Sequence, residues 1–179
     1  METDKLVGKG AQTSGGAGSD AMDGSKERDY HQSFALLIEM VDKTLDDYKS
    51  DLQQILFPVF SVLYLTLIRR GFIKGAKHFF NQYSPNFKSK NSAHNQDLDI
   101  LESVKSQNDL QSSLEVDKYL KNKFFLKLSL HSKEILIQFL KFENLILLLQ
   151  IINSNIEFQV STERNIVDVR MAIDSRKMD

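Results

Sequence analysis

The feature that most constrains this chain is an apolar run from Ile55 to Ile68, which only Pro58, Ser61 and Thr66 interrupt. A helix that is apolar on every face is a buried helix. The run has 14 residues, whereas a helix needs roughly 20 apolar residues to span a bilayer. The run therefore predicts the central helix of a packed helical domain, and we expect no membrane association.

Composition excludes several classes of function. The chain has 179 residues, with 23 Lys and Arg against 24 Asp and Glu. Direct nucleic-acid binding is not expected, because phosphate neutralisation usually requires a basic excess. The chain has no cysteine, so disulfides and thiolate metal sites are excluded and a reducing compartment fits. The N-terminus lacks the apolar core of a secretory signal, and we expect a soluble intracellular protein.

Composition also divides the chain into three parts. Residues 1–29 hold six of the eight glycines and no aromatic residue, so this part is predicted to be a disordered Gly/Ser-rich tail. Residues 30–160 carry the helical patterns and are predicted to form one domain. Residues 161–179 are charged and weakly alternating, and are predicted to be a C-terminal tail or a linker strand that docks on a partner.

Residues 30–83 predict a series of antiparallel helices. A first amphipathic helix follows Tyr30, and a second begins near Asp46 and Asp47, either of which could cap it. Pro58 predicts a kink or a new helix, because proline lacks an amide proton. Gly71 predicts a left-handed helix end, and a short turn then leads to a further amphipathic helix. The predicted core of this region consists of Leu45, Tyr48, Leu52, Leu56, Phe57, Pro58, Phe60, Tyr64, Leu67, Ala76, Phe79 and Phe80.

The second half of the chain gives weaker patterns. A polar loop is expected at residues 86–96, followed by one or two short helices up to Leu114. Two later helices are predicted, which Ser132 and Asn144 could cap. Alternating residues near Phe124 and Ile156 could pair as a short two-strand β ribbon. The predicted fold class is thus all-α, a compact multi-helix domain with this ribbon as an addition.

Catalysis and cofactor binding find no support in the sequence. No two of the four histidines are three or four positions apart, so a helix-borne pair of histidine ligands is not expected. His94 lies near Asp97 and Asp99, which we interpret as a solvated polar loop because the ligand set is incomplete. No catalytic, cofactor or metal residue is predicted. Phe72 and Phe87 fall at turns, where large apolar groups need cover, so we predict either internal packing or contact with a partner.

The order of residues between Tyr48 and Phe80 resembles the N-terminal helical domain of the WD-repeat subunit of the general transcription factor TFIID. The family pattern begins with a tyrosine and Leu-Asp-x-Tyr-Lys-x-x-Leu. It continues with Leu-Phe-Pro-Val-Phe, Tyr-Leu-x-Leu, a glycine and Ala-x-x-Phe-Phe. The residues of this chain that match the pattern are, in the same order, Tyr30; Leu45, Asp46, Tyr48, Lys49 and Leu52; Leu56, Phe57, Pro58, Val59 and Phe60; Tyr64, Leu65 and Leu67; Gly71; and Ala76, Phe79 and Phe80. A weaker block near residues 123–160 extends the resemblance.

The resemblance implies a non-enzymatic scaffold in the nucleus. Its implied partners are other TBP-associated factors of TFIID, including histone-fold subunits, and in some organisms the SAGA coactivator. A second copy of the domain is a further partner to consider. The alternative interpretation is an unrelated helical module for protein–protein interaction. The chain shows no WD-repeat signature and no tryptophan, so we expect a fragment, a truncated product or a form that lacks the repeats.

Overall fold

A computed structural model describes residues 25–90 and 92–161 of the chain. Most of the predicted N-terminal tail, residues 1–24, lies outside the described residues. The same holds for residues 162–179 of the predicted C-terminal segment. The described elements, in chain order, are α1 (Glu27–Lys43), α2 (Asp46–Arg69), α3 (Ile73–Tyr83), a 3-10 turn (Ser84–Asn86), α4 (Asn95–Ser103), α5 (Gln107–Ser112), α6 (Leu114–Lys121), β1 (Phe124–Ser129), α7 (Leu130–Phe142), α8 (Ile146–Asn155) and β2 (Ile156–Ser161).

Helix α2 is the centre of the domain. It has 24 residues and is buried on every face from Phe57 to Ile68. By length and composition alone it could cross a membrane, but 78% of its most apolar stretch is buried within the domain. Helices α1, α3, α7 and α8 and strand β1 all pack on it. The predicted all-α class with a central buried helix is confirmed.

Helix α2 runs through Pro58 without a break, so the new helix predicted as one of two alternatives at this proline is wrong. The other alternative, a kink, stays a prediction. Proline inside a helix removes one backbone hydrogen bond and costs about 3 kcal/mol or more. The residues on both sides of Pro58 are buried, and burial of one large apolar side chain contributes about 1.5–3 kcal/mol. Packing of the surrounding core therefore outweighs the local penalty and keeps the helix continuous.

The polar residues inside α2 are satisfied within the helix. The Ser61 hydroxyl donates to the Phe57 carbonyl at 2.9 Å, and the Thr66 hydroxyl donates to the Val62 carbonyl at 2.7 Å. Both side chains are buried, where an unpaired hydroxyl would be costly. The backbone of α2 thus supplies the partners that its own buried polar groups need.

The C-terminal end of α2 has the predicted left-handed glycine, with φ = 82° at Gly71. The Gly71 amide donates to the Ile68 carbonyl at 2.9 Å, and the Phe72 amide donates to the Leu67 carbonyl at 2.9 Å. These two bonds are those of a Schellman motif. Because the motif reverses the chain within two residues, α3 returns along α2 and packs against it.

The two alternating segments pair as predicted, and they run parallel. Phe124 lies opposite Ile156, and Leu126 lies opposite Phe158. A parallel pair needs a long connection, which α7 and α8 provide between the strands. On the inner face of this ribbon, Leu128 is buried and Phe158 is half-buried. Phe125 and Lys127 on the other face are exposed.

The structure corrects several predicted details in the second half of the chain. Ser129, rather than Ser132, caps α7 by accepting from the Ser132 amide at 3.1 Å. Asn144 has φ = 54° and lies in the turn before α8, whose N-cap is Leu145. The expected one or two weak helices are α4 and α5, and the sequence pattern did not predict α6, which begins at Leu114. Local sequence identifies a cap region but not which of several polar residues has the required backbone angles.

One predicted core residue lies on the surface. Leu45 is the N-cap of α2 and its side chain is 73% exposed, because the chain turns away from the core between α1 and α2. Tyr48 and Leu56 are half-buried, with Leu56 packed at the edge of the core. The other predicted core residues are buried, namely Leu52, Phe57, Pro58, Phe60, Tyr64, Leu67, Ala76, Phe79 and Phe80.

Candidate interaction surfaces

The polar cluster at the start of α2 is structural. Asp46 and Asp47 lie in the first turn of the helix, where negative charge suits the helix dipole, and neither is the N-cap that the sequence predicted. The ring of Tyr48 packs at 4.7 Å from the ring of His131. This contact orients the N-terminal end of α7 against α2.

A second polar cluster joins α2 to the turn between β1 and α7. The Asp51 carboxylate accepts from the Ser132 hydroxyl at 2.9 Å and from the Ser129 amide at 3.0 Å. The Ser129 hydroxyl in turn donates to the Ser132 hydroxyl at 2.8 Å. Ser129 and Ser132 are both buried. The sequence did not reveal this cluster, because Asp51 is separated from Ser132 by 81 positions.

The structure brings together two histidines that the sequence left apart. The rings of His31 on α1 and His78 on α3 have their centroids 5.5 Å apart, and the rings of His31 and Phe79 are nearly perpendicular with their centroids 5.2 Å apart. Burial and the neighbouring His78 lower the pKa of His31, while Glu27 and the Gly75 carbonyl oppose that shift. A Cβ at Gly75 would overlap the carboxylate end of the Glu27 side chain, so this side chain lies over the first turn of α3.

Nothing in the described part of the chain forms a metal site of three or more His, Cys, Asp or Glu side chains. His94, the candidate in the predicted polar loop, stacks on the ring of Phe57 with a centroid distance of 4.0 Å. Its Nδ1 atom lies 3.9 Å from Asp97 Oδ2. Asp97 also accepts a hydrogen bond from the Tyr119 hydroxyl. Tyr119 has a raised pKa because of burial and this carboxylate. His94 and Asp97 therefore fasten α4 and α6 to the core.

A groove of about 360 Å³ lies between α2, α3 and the segment after α4. Its lining includes Tyr64, Phe80 and Val104, with Lys77 and Glu102 among the charged side chains. The Tyr64 hydroxyl donates to the Val104 carbonyl at 2.7 Å. Burial, followed by the charges of Glu102 and Asp109, raises the pKa of Tyr64 to about 12. The hydroxyl therefore stays protonated and holds the wall of the groove in place.

A second groove, of about 440 Å³, separates α1 from α7. Leu36, Met40 and Phe139 form its apolar part, and Glu39 and Glu143 lie in the lining with Lys43. Lys43 forms an ion pair with Glu39. The groove is therefore apolar with carboxylates in its wall, a shape suited to a side chain or a helix rather than to a reacting centre.

Phe72 and Phe87, the two predicted contact residues, are half-buried against their own domain. The Arg70 guanidinium lies 5.0 Å from the ring of Phe72. Phe87 packs at 5.1 Å from the ring of Phe60 and at 5.4 Å from the ring of Phe57. Internal packing, the first of the two predicted roles, thus accounts for much of their surface, and contact with a partner stays a prediction.

The most exposed large apolar side chains of the described residues are elsewhere, at positions that the sequence pattern did not mark as contacts. Phe142 is 87% exposed at the end of α7, and Leu114 is 83% exposed at the start of α6. Phe125 on β1 is 74% exposed. Helical and strand periodicity assigns an apolar residue to a core face by default. Their exposure depends on how the elements pack, which the sequence pattern does not contain.

Comparison with known proteins identifies the fold. Residues 24–156 match the family described as the WD40-associated region in the TFIID subunit, NTD2 domain. The structure is similar to the crystal structure of the Encephalitozoon cuniculi TAF5 N-terminal domain, with a TM-score of 0.68 and 26% sequence identity. That similarity covers 74% of this chain and 98% of the crystallised chain.

Two curated relatives give the same assignment. The chain is 33% identical over 131 residues to transcription initiation factor TFIID subunit 5 of Arabidopsis thaliana, which is 73% of this chain and 19% of the relative. It is 27% identical over 135 residues to the SAGA complex/transcription factor TFIID complex subunit Taf5 of Schizosaccharomyces pombe, or 73% of this chain and 20% of that protein. The chain thus matches about a fifth of these relatives' length. On the family match, the chain belongs to the NTD2 domain family of the WD-repeat TFIID subunit.

Proposed function

We propose that this chain is a non-enzymatic scaffold that helps to assemble TFIID by binding other TBP-associated factors, histone-fold subunits among them. The observation that carries the proposal is the similarity over 98% of the crystallised TAF5 N-terminal domain, since the chain then holds one whole domain of that type. The relatives are named for transcription initiation and for SAGA as well as TFIID, and this supports a nuclear role.

The described structure is consistent with a binding role. The polar clusters at Asp51 and His94 connect helices to one another, and the residues of α2 are used for packing. We therefore expect binding to use the surface of the domain, above all the exposed aromatic side chains Phe125 and Phe142. Exposed apolar groups on a rigid domain commonly mark contacts with other proteins. The family match disfavours the alternative of an unrelated helical module.

Affinity purification of the tagged full chain from nuclear extract tests the proposal. We expect mass spectrometry to identify TBP-associated factors above the level recovered with the tag alone. Recovery of none of them from an extract that contains intact TFIID would contradict the proposal. Recovery of only a second copy of the chain would favour a homodimeric module instead.

A surface variant tests whether an exposed aromatic side chain contributes to the interface. Phe142→Ser removes the most exposed aromatic side chain, and Lys141→Ser changes its exposed neighbour as the matched control. Both variants should unfold at the same denaturant concentration as the parent, because neither side chain is buried. If Phe142 contributes to the interface, only Phe142→Ser will lower the recovery of TBP-associated factors.

A further inference from the structure

The groove of about 360 Å³ between α2, α3 and the segment after α4 is apolar inside and exposed at its edge. Tyr64, Ile68 and Phe80 line it and are buried, whereas Ile73, the first residue of α3, is 38% exposed. Its volume lies within the range of roughly 300–1,000 Å³ that is usual for binding sites. The groove can therefore receive a large apolar side chain from another molecule.

Both walls of the groove are held in place by the domain itself. The Tyr64 hydroxyl donates to the Val104 carbonyl at 2.7 Å, which fixes the wall after α4. The left-handed turn at Gly71 sets the start of α3, and the Phe72 amide closes this turn by donating to the Leu67 carbonyl at 2.9 Å. Because a preformed site has little to order on binding, contacts made in this groove contribute directly to affinity.

Two lysines flank the groove from two different walls. Lys77 lies on α3 and Lys105 directly follows Val104, and both line the groove with exposed side chains. Neither lysine takes part in the ion pairs of the described residues. Residues 69–77 carry four basic side chains and no acidic one, so the surface that leads into the groove along α3 is cationic.

The acidic groups near the groove offset only part of this charge. Glu102 is the one carboxylate among the described residues that line it. Asp109 lies beside Lys105, and its carboxylate accepts from the amides of Lys105 and Ser106, each at 2.9 Å. That carboxylate is therefore used to cap α5. The lining itself has two lysines against one glutamate, which an anionic partner complements.

We propose that this groove binds an acidic segment of a partner protein. One large apolar side chain of that segment packs against Ile73 and Phe80, and its carboxylates face Lys77 and Lys105. This docking site rests on the proposed binding role, and it adds the chemistry of the partner and the place where it binds. Phe72, one of the two predicted contact residues, directly precedes Ile73 and extends the apolar contact.

The second groove of the domain has the opposite charge in its lining. Between α1 and α7, Glu39 and Glu143 lie in the lining with Lys43 alone as a basic group. An acidic segment would meet like charge there, so electrostatics selects between the two grooves. Nucleic acid is a poorer match for the first groove, because its affinity comes mainly from many phosphate contacts and the inner lining is apolar.

Fluorescence anisotropy with two labelled synthetic peptides and the full chain tests the proposal. The peptides share an apolar stripe with a central phenylalanine, and they differ only in carrying glutamates or lysines at the flanking positions. We expect the glutamate peptide to bind about tenfold more tightly than the lysine peptide, and to weaken as salt screens the exposed charges. Equal affinities of the two peptides, or binding of neither, would overturn the proposal.

A charge-reversal variant locates the site. Lys77→Glu/Lys105→Glu should abolish the preference for the glutamate peptide. Lys88→Glu/Lys90→Glu changes the net charge equally at exposed lysines outside the lining, and should keep that preference. Both variants should fold like the parent, because all four side chains are exposed. If the control loses as much affinity as the first variant, the peptide responds only to overall charge and the groove is not its site.

A second pair of variants tests the apolar contact. Ile73→Ser should weaken binding of the glutamate peptide several-fold. Ile146→Ser is the matched control, because Ile146 is also the first residue of a helix and is 49% exposed. The same affinity in both variants would contradict an anchor at Ile73.

A photoreactive amino acid in place of Ile73 identifies what covers the groove. With the glutamate peptide present, we expect cross-links to the peptide. Cross-links only within the chain, or only between two copies of it, would assign the groove to another occupant and overturn the proposal.

Affinity purification separates this docking site from the scaffold function. If the parent recovers TBP-associated factors, Lys77→Glu/Lys105→Glu should recover fewer of them than Lys88→Glu/Lys90→Glu. Equal recovery would leave the scaffold function standing and would overturn the groove as its docking site. If the parent recovers none, the scaffold function is contradicted, and the peptide affinities alone decide whether the groove binds acidic segments.

Discussion

The hydroxyl of Tyr64 donates a 2.7 Å hydrogen bond to the carbonyl of Val104, which lies 40 positions later in the chain. Tyr64 is only 5% exposed and Val104 is 1% exposed. The bond therefore fixes the segment after α4 to the central helix at a largely buried point.

Removing this hydroxyl should destabilise the domain. Tyr64→Phe leaves the buried Val104 carbonyl without its donor, and an unsatisfied buried group costs about 1–3 kcal/mol. Urea unfolding should show a lower midpoint with an unchanged slope. Tyr48→Phe, at a half-buried tyrosine, is the control and should change stability by less. If the two substitutions lower the free energy of unfolding equally, the hydrogen bond to Val104 does not stabilise the domain as predicted.

The aromatic core should be sensitive to truncation. Phe60 and Phe79 are fully buried and their rings stack at 5.6 Å. Phe60→Ala or Phe79→Ala should each cost about 3–5 kcal/mol, through lost burial and the cavity left behind. Phe125→Ala removes a ring that is 74% exposed, and its free energy of unfolding should stay within about 0.5 kcal/mol of that of the parent. A core variant that melts like the parent would refute the assigned interior.

Stability should fall in mildly acidic solution because of His31. Its pKa is lowered, first by burial and then by His78, so the folded protein binds fewer protons than the unfolded chain. This contribution is complete above the unfolded pKa of about 6.5 and is lost as pH falls below that value. Glu27 opposes the shift, which limits its size.

Urea unfolding between pH 8 and pH 5, in steps, measures this dependence. His31→Gln should reduce the decrease in the free energy of unfolding between pH 8 and pH 5. His131→Gln, at an exposed histidine, should leave the slope close to that of the parent. If the two variants have the same pH profile, His31 is not the group responsible.

The end of α2 should depend on glycine at one position. Gly71 has φ = 82°, where a residue with a Cβ costs about 1–2 kcal/mol. Gly71→Ala should therefore lower the melting temperature. Asn144→Gly is the informative counterpart, because Asn144 already has φ = 54° and glycine adopts this region freely. We expect Gly71→Ala to lower the melting temperature and Asn144→Gly to raise it or leave it unchanged.

Local patterns were sufficient for much of the fold. The apolar run predicted the buried helix, Gly71 predicted its left-handed end, and period-two alternation predicted both strands of the ribbon. These features depend on residues within a few positions of one another, so the sequence contains the whole physical cause.

Other features were decided only by tertiary structure. Local rules predict a kink or a new helix at Pro58, and the surrounding core keeps α2 continuous there. The His31–His78 contact, the Asp51–Ser132 bond and the Tyr64–Val104 bond each join residues that are distant in the sequence. The exposure of Leu45 and Phe142 likewise follows from the direction in which the chain leaves each helix. The sequence by itself determined which segments are apolar and helical. Packing alone decided which of their side chains meet and which remain at the surface, because that depends on the relative positions of whole elements.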